Sequence, residues 1–97
     1  MTTAQHLIIG VLGELGWKAP DGGGVRLLSN DRSLCCVRHP GVLVTFLGGD
    51  PVTARLWRLR HTVLAGKWQE VRALLLTADP VDDARFFVAW VLKEVGE

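Results

Sequence analysis

Cys35, Cys36 and His39 come nearest in this chain to a constellation that could do chemistry. Thiolate and imidazole together ligate zinc or form a nucleophile and its base. Zinc needs about four ligands, or about three where it is catalytic. The other histidines, His6 and His61, fall in separate predicted helices. Neighbouring residues of an extended strand point to opposite faces, so one cysteine leaves whichever face His39 occupies. The pair reads as small buried hydrophobes with reduced thiols rather than as a disulfide framework. No catalytic residue, metal or cofactor is assigned, and the chain reads as non-enzymatic.

Two glycine runs bear on phosphate binding. Gly22-Gly23-Gly24 precedes a predicted strand rather than a helix, which is the wrong context for a phosphate loop. Gly48-Gly49 is better placed, but Asp50 would set its own carboxylate among the amides there and Pro51 lacks a donor, so this is a helix cap. Basic groups offer a second route to anions. Residues 1–50 carry four basic and four acidic side chains, 51–78 carry five against one, and 79–97 carry two against five, giving 0, +4 and −3. The basic set is Arg55, Arg58, Arg60, Lys67 and Arg72, interleaved with Trp57, a pattern that suits phosphate contact and base stacking. A net charge of +1 argues against a dedicated nucleic-acid binder, so a small nucleic-acid-binding regulator stands second. Adjacency of the +4 and −3 segments lowers their electrostatic energy, which predicts Asp82, Asp83 or Glu94 near Arg55, Arg58 or Arg60.

The elements expected to position these groups run α-β-β-β-α-α-α, a single α+β domain over residues 1–97: an N-terminal helix, a three-stranded antiparallel meander and three C-terminal helices. Thr2 and Gln5 have capping-box spacing before a first helix near 3–15, with Leu7, Ile8, Val11, Leu12 and Leu15 on its apolar side and Gly16 as its stop. Gly10 and Gly13 within it suggest close approach of another element. Apolar runs at Val25 to Ser29, Leu34 to Arg38 and Val42 to Leu47 read as the strands. In the third run Val42, Val44 and Phe46 take one face while Leu43 and Leu47 take the other, which predicts a strand covered on both sides, central or at a subunit interface. Helices are then expected over 51–65, with Val52, Leu56, Leu59 and Val63 inward, and over 67–78, with Trp68, Val71, Leu74 and Leu75 inward. Asp79-Pro80 starts the last helix.

The first five elements so placed are similar in order to double-stranded-RNA-binding domains. The lysine cluster which such domains carry after the sheet is absent from Asp50-Pro51-Val52-Thr53-Ala54-Arg55, so the resemblance is one of order alone and no family is assigned.

The last helix places Val81, Ala84, Val88, Val91 and Val95 on one stripe and Phe86 with Trp90 on another. Trp57 and Leu64 also lie off their predicted stripe. Together Trp57, Arg60, Leu64, Phe86 and Trp90 form the expected partner-binding surface of a protein–protein interaction module, a homodimer or a subunit of a larger assembly. Apolar content of 48% with a mean hydropathy of +0.24 argues for a folded domain. No apolar run reaches the ~20 residues of a membrane span and the start lacks a basic signal region, so no membrane partner is expected and the chain reads as cytoplasmic. Nothing points to a small-molecule substrate.

Overall fold

Hydrophobic residues on alternating positions of three consecutive strands, covered by two capped helices, build the core of an α+β domain with a single sheet. The computed structural model describes residues 2–19, 32–48, 51–61, 65–77 and 79–96. Its elements are α1 (Thr3–Glu14), β1 (Trp17–Lys18), β2 (Arg32–Cys36), β3 (His39–Leu47), β4 (Thr53–His61), β5 (Gly66–Leu75) and α2 (Pro80–Val95). The strands form one antiparallel sheet in the order β1-β2-β3-β4-β5.

Local chemistry sets the helix starts as expected. The Thr2 hydroxyl accepts from the Gln5 amide and the Gln5 side chain accepts from the Thr2 amide, each at 3.2 Å, so two donors that the first turn leaves unpaired are satisfied. Asp79 accepts from the amides of Val81 and Asp82 at 2.9 and 3.2 Å, ahead of Pro80 at the first helical position. Gly96 closes α2 in the left-handed conformation at φ 80°.

The helices lie on one face of the sheet. Ile8 and Leu12 of α1 and Ala84, Phe87 and Val91 of α2 close over Leu34, Cys36, Val42, Val44, Phe46, Ala54 and Leu56. Phe87 is fully buried, with its ring 6.4 Å from that of Phe46. The sequence reading placed neither stripe of α2 on Phe87, yet this residue centres the buried face. Ala84 and Val91 are buried beside it, Val88 and Val95 pack at its edge, and Val81 is exposed.

The expected three-strand meander and three C-terminal helices are overturned. Residues 53–61 and 66–75 are strands, and α2 is the one helix described after the sheet. The order shared with double-stranded-RNA-binding domains goes with them. Val52, Leu56 and Leu59 have helical spacing, but the pairing shows a period of two: Ala54 and Leu56 face the helices while Arg55, Trp57 and Leu59 face away. Because apolar residues stand on both faces, the alternation is blurred and a helical period fits by coincidence. Arg, Leu and Ala favour helix intrinsically, and strand pairing prevails over that preference. The same correction applies to β5, where Leu74 packs on the core and Trp68 lies on the other face. The expected strand at 25–29, the Asp50 cap, Val63 and Leu64 lie outside the described residues.

The apolar side of α1 also divides. Ile8 and Leu12 are buried, Leu15 packs at the edge of the core, and Leu7 and Val11 are exposed. A methyl added at Gly10 or Gly13 meets nothing within 4 Å, so among the described residues neither glycine serves a close approach. Gly10→Ala and Gly13→Ala should therefore each raise stability by about 0.4–1 kcal/mol, because alanine lowers the entropy of the unfolded chain and favours helix. Urea denaturation followed by circular dichroism checks this. Phe87→Ala should cost about 3–5 kcal/mol in the same measurement.

Candidate functional site

Strand alternation sorts the chemically interesting residues onto two sides of the sheet. Cys35 pairs in register with Leu43 on the side away from the helices, and Cys36 is buried in the core. His39 stacks on Trp17 at 6.5 Å between ring centres, at the edge of the helix-covered side. The two thiols are thus divided by the sheet. Among the described residues, no group of three or more His, Cys, Asp or Glu side chains is arranged to hold a metal ion.

The five cations of the possible nucleic-acid surface are likewise split. Arg55 lies on the side away from the helices and pairs with Glu70. Arg58 points to the helix side, where its Nε donates to the Glu94 carboxylate and its Nη2 donates to the Glu94 carbonyl at 2.9 Å. This meets the expected pairing of the basic segment with the acidic last helix, from a strand instead of a helix. The guanidinium also sits at the carbonyl end of α2, where the helix dipole favours a cation. Arg60 donates to Gln69 at 3.0 Å, Lys67 stands opposite Arg60 in the register, and Arg72 lies over the Trp90 ring at 5.0 Å. Carboxylates or an aromatic face thus engage Arg55, Arg58 and Arg72.

The expected partner surface does not assemble either. Trp90 is half-buried, edge-on to Phe87 and covered by Arg72, so it belongs to the core margin. Phe86 is 57% exposed on the same helix. Trp57 lies across the sheet from both, and Leu64 is outside the described residues. A sheet therefore separates residues that a helical reading had put together.

The structure assembles a different group. On the face away from the helices, Leu43 stands beside Trp57 and Leu59 beside Trp68 in the strand register. All four are half-buried, yet none packs against the core. Leu47 and Leu75 are exposed at the other end of the strands, in line with Thr53 and separated from these four by the row Thr45, Arg55 and Ala73. The Trp57 indole Nε1 donates to the Thr45 hydroxyl at 2.8 Å, and Thr45 is only 6% exposed. That bond satisfies the polar end of the indole and fixes the ring against β3. Gly66 completes the packing: a methyl there would stand 3.1 Å from Leu59 Cδ1. Sequence reasoning missed this cluster because it assigned Trp57, Leu59 and Trp68 to helices. Its one trace in the sequence was the run Val42 to Leu47, which showed apolar residues on both faces.

Compared with models of protein families, with curated proteins and with solved structures, the chain matches none. No helix among the described residues is long and apolar enough to cross a membrane.

The Arg58 bridge gives a test of how α2 is held. Arg58→Ala, which loses both the carboxylate and the carbonyl contact, should destabilise the fold by about 1–2 kcal/mol. Glu94→Gln, which keeps the carbonyl contact, should cost less, within about 1 kcal/mol for a partly exposed pair. Urea denaturation of both variants checks the order.

Proposed function

We propose that this chain is a non-enzymatic protein-interaction module that binds through the face of its sheet turned away from α1 and α2. One observation carries the reading: Leu43, Trp57, Leu59 and Trp68 form an apolar cluster that no described element covers. An antiparallel sheet with one face in water ordinarily alternates apolar with polar residues along each strand. Here Val42-Leu43-Val44 and Leu56-Trp57 break that alternation in the middle of the sheet.

A large apolar side chain gains roughly 1.5–3 kcal/mol between full exposure and full burial, and each of these four, already half-buried, still has part of that gain to make on association. Aromatic anchors at the centre of a contact with polar groups around them are the usual anatomy of a protein interface. Trp57 is already held in place by Thr45, which lowers the entropy lost on binding. Phe86, an isolated exposed aromatic, needs no such account. The nucleic-acid reading gains no support from the distribution of cations, since Arg55 is separated from Arg58, Arg60 and Arg72 by the sheet.

Oxidative footprinting with mass spectrometry on dilute, monomeric protein tests the openness of this face. Trp57 and Trp68 should be modified many times faster than Trp17, which is 3% exposed in the core. Protection of Trp57 and Trp68 equal to that of Trp17 in a monomer would remove the reading.

A further inference from the structure

From the interaction surface just described, and resting on that reading, we infer that its occupant is a second copy of this chain, with the two sheets packed face to face around Trp57 and Trp68. Charge, size and shape support this choice. Across β3, β4 and β5 the formal charges on the open face are Arg55 and Glu70, which pair with each other and cancel. A face whose two charges cancel, with the Arg55–Glu70 pair lying within it beside Trp57, has no net charge with which to select a strongly acidic or basic partner, whereas about a twofold axis it meets a copy that likewise carries none.

The area fits as well. Strands β3, β4 and β5 are 9, 9 and 10 residues long. At about 3.3 Å per residue they run for roughly 30 Å, and together with the shorter β2, 5 residues long, they cover about 500 Å² in plan. Corrugation by two indoles raises the accessible area above that value, toward the roughly 800 Å² per partner of a standard stable interface.

The geometry also favours face over edge. β5 is the long free edge of the sheet, but its register shifts opposite Leu56/Trp57, and Lys67, Glu70 and Arg72 stand along it. A bulge and charged side chains are devices that oppose edge-to-edge pairing. Two sheets in face contact instead form a sandwich with interdigitating side chains and strand directions within about 30° of each other. The pair of α1 and α2 then covers the outside of each sheet.

Sedimentation velocity of the full chain from about 1 to about 100 µM, joined to footprinting across the same range, tests the proposal. Expected are a monomer–dimer equilibrium and protection of Trp57 and Trp68 that rises with the dimer fraction. Leu59→Arg should weaken self-association at least about tenfold, the scale of a central interface residue. Glu70→Lys changes an exposed position and leaves the fold intact while giving both faces the same sign of charge. It should weaken the dimer in a way that added salt partly reverses. Phe86→Ser, on the helix side, should leave the equilibrium unchanged.

A wild-type chain that stays monomeric throughout, with Trp57 and Trp68 open to oxidation, would overturn the second copy while sparing the interaction module. A monomer with both indoles shielded would overturn both. A dimer that forms without added protection of Trp57 and Trp68, or that is lost in Phe86→Ser and kept in Leu59→Arg and Glu70→Lys, would place the contact elsewhere and overturn the proposal.

Discussion

The contact between Phe87 of α2 and Phe46 of β3 decides which side of the sheet becomes the core. Phe87 reaches Phe46 near the end of the central strand, and Val42, Val44, Ala54 and Leu56 are buried in the same layer. Once α2 lies there, α1 completes the same layer with Ile8 and Leu12. Both helices are then committed to one face. The apolar residues on the opposite face are left without a layer among the described elements, and this asymmetry produces the surface on which the functional reading rests.

Polar contacts at the margin of that layer fix how α2 is set on the sheet. Arg58 is on the helix-facing side of β4, partly exposed at the margin of the core, and it bonds both the Glu94 carboxylate and the Glu94 carbonyl at the end of α2. Arg72, exposed on β5, lies over the Trp90 ring of the same helix. Charges that look in the sequence like a basic surface are thereby used to anchor a helix. The opposite face has the reverse arrangement: its cation is cancelled by a neighbour in the strand register, Arg55 by Glu70, and its largest groups are apolar. One face has its charges engaged in holding the fold, and the other has apolar area that no described element covers.

Alternation of faces in β4 explains both why the helical reading failed and why the open surface exists. A strand buried on one side alone shows period two and is recognised as such. In β4, Leu56 belongs to the core, Trp57 and Leu59 belong to the second face, and Arg58 intrudes on the core side with its own partner. The pattern of hydrophobicity that results has no clean period. The same feature that hides the strand marks it as one with two apolar faces.

Chemistry confined to a few adjacent residues was legible without coordinates. The Thr2/Gln5 capping box, the Gly16 stop, the Asp79-Pro80 start of the last helix and the two-faced strand at Val42 to Leu47 each depend on contacts within one turn or one strand. The division of Cys35 from Cys36 follows from strand geometry in the same way. What the sequence could not decide was which elements lie next to each other. Trp57 with Leu43, Arg58 with Glu94 and Phe87 with Phe46 are separated by 14, 36 and 41 positions, and their meeting depends on the order in which strands pair and the face on which helices land. Those choices follow from how the whole chain buries its apolar surface, a property that no local window contains.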